Sequence, residues 1–182
     1  VAFDGAECVD TSMGVTPLEG VMMGTRSGDI DGGAVAFLQK KLNLDADGIS
    51  DLLNKKSGVL GITQLSSDMR EVEAACEKGD PKAILSMKMY NYRIKKYIGA
   101  YAAAMGGVDI IVFTAGVGEN QWSTRQEACE GLEFLGVKID KELNKGLRGV
   151  EKVISTADSK VTVCIIPTDE ELMIATDTMD LL

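Results

Sequence analysis

One segment constrains the fold more than any other, residues 109–120, which read DIIVFTAGVGEN. The apolar and β-favouring side chains at 110–114 predict a buried strand that ends at a glycine turn over 115–118. The polar residues from Glu119 onward are typical of a helix start. A strand, a glycine turn and a helix in succession allow close backbone approach to a ligand and offer it unpaired N–H groups. The segment therefore indicates either a nucleotide site or a structural turn.

Length and charge exclude several classes of protein. The chain has 182 residues, 45% of them hydrophobic, which is enough for the core of one globular domain. A net charge of −9 argues against a nucleic-acid binder, which needs a basic face. No apolar run approaches the roughly 20 residues that a membrane helix needs. The chain starts Val-Ala-Phe-Asp, without a signal-peptide pattern or an initiator Met, so we interpret it as a piece of a longer polypeptide.

The residue types that are missing narrow the chemistry further. The four cysteines, at 8, 76, 129 and 164, form no CxxC pair, which favours reduced thiols in a cytoplasmic protein. The chain contains no histidine, so Ser-His-Asp and Cys-His catalysis and histidine metal sites are excluded within it. The remaining Asp, Glu, Arg, Lys and backbone amides suit phosphoryl transfer, where positioning and charge stabilisation matter most.

Strands and helices alternate along the chain, which predicts an α/β fold. We expect strand material over 1–11, a glycine-rich loop over 12–33, and a weak apolar piece at 58–62. Predicted helices cover 34–42 after Asp31, 47–56 after Asp47, 69–78, 81–105, 119–131 and 170–179. Apolar strands are predicted at 109–114 and 161–166, a turn or short strand at 133–138 and a turn at 155–158.

The longest predicted helix, 81–105, carries one apolar stripe with alternating steps of three and four residues. The stripe is formed by Ile84, Met87, Asn91, Ile94, Ile98, Tyr101 and Met105. Core packing explains it most simply, and a subunit interface is the alternative, since Met and Tyr are adaptable contact residues.

Two arginines are candidate ligand-binding residues. Arg26, flanked by hydroxyl residues in the glycine-rich loop, either grips a phosphate or forms a surface ion pair with Asp29 or Asp31. Arg70 follows the predicted helix cap Asp68, where a cation opposes the helix dipole unless it has another task, such as stacking on a base.

Two further motifs remain ambiguous on their residues alone. Gly116 and Gly118 form neither the dinucleotide-binding fingerprint, because Gln121 stands at its third glycine, nor a P-loop. Asn120 either binds a ligand or caps the following helix. Glu170, with the acids on either side of it, follows a buried strand, so it is either a metal ligand or a partner of the helix dipole.

Taken together, the segments of this chain resemble the C-terminal half of acetate kinases. The matching segments are VDTSMGVTPLEGVMMGTRSGDID (9–31), GVLGITQLSSDMR (58–70), YRIKKYIGAYAAAMGGVDIIVFTAGVGEN (92–120), EGLEFLGVKID (130–140) and ISTADSKVTVCIIPTDEELMIATDT (154–178). The resemblance covers most of the chain, and the run TPLEGVMMGTRSGDID is highly specific to the family.

The resemblance implies a ribonuclease-H-like domain of the actin and sugar-kinase superfamily, with a mixed sheet flanked by helices. It implies a cytoplasmic enzyme that reversibly transfers phosphate from ATP to acetate, giving ADP and acetyl phosphate with Mg²⁺. Residues 1–182 would be the C-terminal nucleotide-binding and dimerisation domain of a two-domain kinase, whose N-terminal domain is absent. The resemblance assigns a catalytic role to Arg26, nucleotide contacts to Asp68, Met69, Arg70, Gly116, Val117, Gly118, Glu119 and Asn120, and Mg²⁺ placement to Glu170.

The same resemblance limits what is expected of this segment alone. The family's catalytic aspartate, second arginine, active-site histidines and acetate pocket belong to its N-terminal half, so we expect no catalysis by these 182 residues alone. Propionate and butyrate kinases share this half and remain alternatives, as does a nucleotide-binding or dimerisation module without activity. Family members form homodimers, and we expect no nucleic-acid or membrane partner.

Overall fold

The computed structural model describes residues 1–181, which divide after Gly107 into a helical unit, Val1–Gly107, and an α/β unit that begins at Val108. The helical unit contains β1 (Ala2–Asp4), β2 (Glu7–Asp10), α1 (Gly32–Leu42), α2 (Ala46–Lys55), α3 (Gly58–Thr63), α4 (Met69–Glu77) and α5 (Pro81–Met105). The α/β unit contains β3 (Ile110–Phe113), α6 (Ala115–Asn120), α7 (Trp122–Cys129), a 3₁₀ turn (Glu133–Leu135), α8 (Lys141–Asn144), β4 (Lys152–Val153), β5 (Thr162–Ile165) and α9 (Glu170–Asp180).

Capping residues fix the boundaries of the long helix α5, as predicted. The Asp80 carboxylate accepts the backbone N–H groups of Lys82 and Ala83, each at 2.9 Å, and Pro81 occupies the first turn. Gly106 ends the helix with a left-handed φ of 76°, a conformation that costs glycine little. Helix α4 likewise begins after its predicted cap, Asp68.

The core of the helical unit lies where α3 and α4 pack against α5. Its buried side chains are Met22, Val59, Val72, Ala75, Ala83 and Met87. The predicted stripe on α5 is only partly right, because Met87 and Asn91 are its only buried members within residues 1–181. Contacts with α3 and α4 involve the first half of α5, so the later stripe residues are only half-buried.

Two details of the helical unit differ from the prediction. Asp45, not Asp47, caps α2, since its carboxylate accepts the Gly48 N–H at 2.8 Å. Asp47 instead lies in the first helical turn, where its charge favours the helix dipole. The weak apolar piece at 58–62 is helix α3, whose short length gave no helical periodicity to detect.

A mixed three-stranded sheet, in the order β3-β5-β4, forms the centre of the α/β unit. Strands β3 and β5 are parallel, with Ile111 opposite Val163, whereas β4 pairs antiparallel to β5. In β3, Ile111 and Phe113 are buried, while Ile110 is 59% and Val112 46% exposed, so this strand is buried on one face only. The α/β class is therefore confirmed, and the prediction of a buried strand holds for one face of β3 only.

Residues 133–166 of the α/β unit also correct the predicted boundaries. The predicted strand at 161–166 is β5, whereas the short elements α8 and β4 were missed. Residues 133–135 form a 3₁₀ turn, and Val137 then forms a parallel bridge with Val161, the residue before β5. Within residues 1–181, no helix is both long and apolar enough to cross a lipid bilayer.

Candidate functional site

Arg26 lies in a loop, 20–29, whose two ends are held together by hydrogen bonds. The Asp29 backbone N–H donates to the Gly20 carbonyl at 2.9 Å, and the Gly20 N–H donates to Asp29 Oδ1 at 2.8 Å. The Ser27 N–H also donates to the carbonyl of Leu53, at the end of α2, at 3.0 Å. The long loop predicted from its glycines is therefore held by hydrogen bonds rather than by regular secondary structure.

Two glycines bring this loop into close contact with neighbouring segments. Gly58 has a φ of +61°, and a Cβ there would collide with the carbonyl oxygens of Met23 and Arg26. A Cβ at Gly24 would lie 2.8 Å from the Ser67 carbonyl oxygen. Any larger residue would push the loop away, so these glycines place Arg26 beside the starts of α3 and α4.

The Arg26 guanidinium has no carboxylate partner among the described residues. It is half-buried, and its Nη1 donates to the Met23 sulfur at 3.4 Å. Both acids that the sequence offered as partners are engaged elsewhere. Asp29 forms an ion pair with Arg93, and Asp31 caps α1. The loop therefore presents a cation whose charge is not neutralised within its own surroundings.

Asp68 and Arg70, at the start of α4, form a local pair. The Asp68 carboxylate accepts the Arg70 N–H at 2.9 Å and receives its side chain, with 2.6 Å between Nη2 and Oδ2. These bonds from Arg70 lower the pKa of Asp68 to about 2. The pairing explains how a cation is tolerated in a first helical turn. The Arg70 side chain remains 84% exposed, while Met69 packs against the core.

The glycine segment after β3 is a short helix, α6, and not the open turn that was predicted. Thr114 occupies the position before it, and Ala115 adopts a left-handed φ of 57°, which is unfavourable for a residue with a Cβ. The Ala115 N–H donates to the Thr168 hydroxyl at 3.1 Å, and the two threonine hydroxyls lie 2.7 Å apart. These bonds from the end of β5 hold the strained start of α6.

The two glycines of α6 have different surroundings. A Cβ at Gly118 would lie 3.1 Å from the Phe113 carbonyl carbon, so the absent side chain allows α6 to pack on β3. A Cβ at Gly116 would meet nothing within 4 Å, and this residue is exposed. Asn120 does not cap α7; its Nδ2 donates to the Gly116 carbonyl at 2.9 Å. Packing therefore explains Gly118 but gives no reason for glycine at 116.

Glu119 and Thr168 connect α6 to the segment that leads into α9. Glu119 Oε1 accepts the Thr168 N–H at 2.7 Å, so this predicted nucleotide contact has a structural bond of its own. Glu170 is exposed and starts α9, whose cap is the adjacent Asp169. Thr168 thus brings α6 and the Glu170 segment together. Arg26 and residues 68–70 belong to the helical unit instead.

Glu170 could contribute one carboxylate ligand to a Mg²⁺ ion, and the other ligands would have to come from elsewhere. No group of three or more Cys, Asp or Glu side chains that would suit a metal occurs in residues 1–181. Mg²⁺ commonly takes one or two carboxylates and completes its shell with water and substrate phosphates. Glu170 is compatible with that arrangement. Residues 1–181 do not form a complete set of protein ligands for a metal ion.

Sequence reasoning missed Arg125, the central polar residue of the α/β unit. Its side chain is fully buried, and Nη1 donates to the carbonyls of Gly118 and Glu119 at 2.8 and 3.0 Å. Its Nη2 donates to the Leu147 carbonyl, and Nε to Asn144 Oδ1, both at 2.8 Å. One guanidinium therefore joins the last turn of α6 to α8 and the loop after it.

The charge of Arg125 is compensated by carbonyl groups rather than by an acid. Burial, together with the like charge of Arg148, lowers the pKa of Arg125 to about 10, which leaves the group protonated at neutral pH. Arginines are mostly exposed in folded proteins, and nothing in the residues around Arg125 signals burial. The sequence therefore held no sign of this role.

Known proteins match nearly the whole chain. The acetokinase family model matches residues 1–176. An acetate kinase from Phocaeicola vulgatus is 69% identical over 181 residues, covering 100% of this chain and 45% of that protein. A crystal structure of Porphyromonas gingivalis acetate kinase aligns with a TM-score of 0.89 at 60% identity, over 93% of this chain and 42% of that one.

A crystal structure of a propionate kinase from Francisella tularensis aligns with a TM-score of 0.83 at 40% identity, over 92% of this chain and 42% of that one. The chain thus spans about 45% of the length of the Phocaeicola vulgatus relative. These alignments confirm the predicted actin-like ATPase fold and the recognition made from the sequence motifs. By its sequence and its fold, the chain belongs to the acetokinase family.

Proposed function

We propose that this chain forms part of an acetate kinase, which reversibly transfers phosphate from ATP to acetate to give ADP and acetyl phosphate. The observation that carries the proposal is the half-buried Arg26 guanidinium, which has no carboxylate partner within residues 1–181. An arginine of this kind retains its donors and its charge for an anion. Because the chain belongs to the acetokinase family, we infer that this anion is the transferring phosphoryl group.

The chemistry of the reaction requires such a cation. Acetate is already an anionic nucleophile, so it needs no strong base, and the main barrier is repulsion between its carboxylate and the triphosphate. Arg26 would stabilise the charge on the transferring phosphoryl group through its fork of donors. Bound with the nucleotide, Mg²⁺ would offset further phosphate charge, and Glu170 is the carboxylate we propose to help place it.

Nucleotide contacts are proposed for one segment of each unit. In the α/β unit these are the five residues of α6 from Gly116 to Asn120, and the open space at Gly116 supports close approach of a ligand to the backbone there. In the helical unit they are Asp68, Met69 and Arg70, and the exposed guanidinium of Arg70 is available for stacking.

Calorimetric titration of Mg-ADP into this chain tests the nucleotide proposal. We expect saturable binding that weakens at least about tenfold in Asn120→Ala and in Arg70→Ala. Lys40→Ala, which removes an exposed charge from α1, serves as the matched control and should bind like the parent chain. Equal affinities in all variants would contradict the assignment of these residues.

Turnover of the full-length gene product tests the catalytic proposal. We expect Arg26→Ala to lower kcat by roughly three orders of magnitude while Mg-ADP still binds, because the arginine acts on the transferring group. A variant with near-normal turnover would remove Arg26 from the mechanism. The absence of any acyl kinase activity in the parent enzyme would favour the alternative of a non-catalytic nucleotide-binding module.

Propionate kinase is the second candidate, since a solved propionate kinase shares this fold. The Phocaeicola vulgatus and Porphyromonas gingivalis acetate kinases, at 69% and 60% identity, are more similar to this chain than this propionate kinase at 40%, which favours acetate. Comparing kcat/KM for acetate, propionate and butyrate decides between them. We further propose a cytoplasmic homodimer without nucleic-acid or membrane partners, and sedimentation of the full-length gene product measures the dimer directly.

A further inference from the structure

We propose that Asp29 is a positioning residue for Arg26, and that Arg93 and Tyr97 keep its carboxylate from pairing with that arginine. The inference rests on the proposed catalytic role of Arg26 and extends it to three residues for which neither the motifs nor the family match supplies a role. The inference explains why Arg26 has no carboxylate partner although Asp29 is only three residues away in the same loop.

The carboxylate of Asp29 is fully engaged by three donors. Oδ2 accepts from Arg93 Nη1 at 2.9 Å and from the Tyr97 hydroxyl at 2.8 Å, while Oδ1 accepts the Gly20 N–H at 2.8 Å. Arg93 and Tyr97 are four residues apart on α5 and therefore share one face of that helix. Their hydrogen bonds to Asp29 connect the loop to α5, the longest helix of the helical unit.

The ion pair between Arg93 and Asp29 is partly shielded from water. The side chains of Arg93 and Asp29 are only 31% and 33% exposed, so water screens their attraction less than in a surface pair. Burial and the neighbouring Asp29 raise the pKa of Tyr97 to about 12, which keeps its hydroxyl a donor at physiological pH.

The position of Asp29 links these contacts to Arg26. Asp29 closes the loop through its two bonds with Gly20, and within that loop the Met23 N–H donates to the Arg26 carbonyl at 3.0 Å. Asp29 is also the acid nearest to Arg26 in sequence. A carboxylate in the same loop whose charge is no longer paired would compete with the phosphoryl group for the arginine, because opposite charges attract more strongly where the protein partly excludes water.

Two substitutions that break the same ion pair should have unequal effects on turnover of the full-length gene product. Arg93→Gln removes the cationic partner of the carboxylate and leaves its charge to attract Arg26, so we expect kcat to fall roughly tenfold or more with a nearly unchanged KM for nucleotide. Asp29→Asn removes the competing charge and keeps an oxygen acceptor for the Gly20 N–H, so its kcat should fall clearly less than that of Arg93→Gln.

The double variant Asp29→Asn/Arg93→Gln provides the decisive comparison. If charge competition is the cause, the double variant recovers most of the kcat lost in Arg93→Gln, and Arg93→Lys also recovers activity. A purely structural role predicts that the double variant is at least as impaired as Arg93→Gln, and that result would overturn the inference. Lys88→Gln, an exposed charge removed from the same helix, is the matched control.

The outcomes separate this inference from the proposed function. If Arg26→Ala itself keeps near-normal turnover, the proposed role of Arg26 fails. If Arg26→Ala is inactive while Arg93→Gln turns over like the parent enzyme, only the role of Asp29 and its partners is refuted. Circular dichroism of each variant identifies any that do not fold. If Arg93→Gln does not fold, Tyr97→Phe replaces it, because it removes another donor to the same carboxylate oxygen. Charge competition predicts that Asp29→Asn restores the kcat lost in Tyr97→Phe, and a double variant that is no more active than Tyr97→Phe would overturn the inference.

Discussion

Replacing Arg125 with methionine should destabilise the α/β unit severely. Methionine matches the length of the arginine stem but donates nothing, so four hydrogen bonds between 2.8 and 3.0 Å are lost. Bonds to a charged group contribute about 1.5–3 kcal/mol each, and the cost of burying the cation, which also lowers its pKa, offsets part of that gain. We therefore expect a net loss of roughly 3–5 kcal/mol in the free energy of unfolding.

Urea denaturation followed by tryptophan fluorescence measures this loss. Trp122 is the only tryptophan of the chain, and its carbonyl accepts from Asn144, the side-chain partner of Arg125. Arg125→Lys keeps the charge without the fork of donors and should recover about half of the loss. Lys145→Met, at an exposed position, should change stability by less than about 0.5 kcal/mol. A loss below about 1 kcal/mol in Arg125→Met would refute the reasoning.

Three further outcomes are expected. Asp68 should titrate with a pKa of about 2, so its stabilising contribution is complete above its ordinary pKa of 3.8 and is lost as the pH falls through 2. Arg70→Gln should raise the pKa of Asp68, and carboxyl-carbon NMR measures that change. Gly118→Ala should destabilise by roughly 1–3 kcal/mol in urea because its Cβ crowds Phe113, whereas Gly116→Ala should leave stability unchanged and weaken Mg-ADP binding in calorimetry. The 182-residue chain alone should form no acetyl phosphate in a coupled assay, and measurable turnover would contradict this expectation.

Local chemistry predicted the elements whose ends are set by their own residues. Asp68 and Asp80 cap α4 and α5, and Gly106 ends α5, as the sequence indicated. Strand β5 followed from its unbroken apolar run. In each of these cases the determining residue lies within or next to the element, so its effect is visible in a short window of sequence.

Long-range contacts decided what the sequence could not predict. Helix α6 contains two glycines and starts with a strained Ala115, so its helical state depends on Thr168, 53 residues away. Asp29 finds its two side-chain partners 64 and 68 residues further along the chain. The two-residue β4 is too short to show any periodicity. The residues of the candidate site were therefore predictable as motifs, whereas their partners were not.

The hydrogen bonds of Thr168 have a consequence for how binding at α6 and binding at Glu170 influence each other. The residue holds both the start of α6 and, through Glu119, its far end, and it stands two positions before Glu170. Because α6 and the segment that leads to Glu170 are both held by Thr168, they lose conformational freedom together. Ordering one of them therefore lowers the entropy cost of ordering the other. If α6 binds a nucleotide and Glu170 helps to place a cation, as proposed, a nucleotide that orders α6 would favour the cation, and by thermodynamic reciprocity the cation would favour the nucleotide by the same factor.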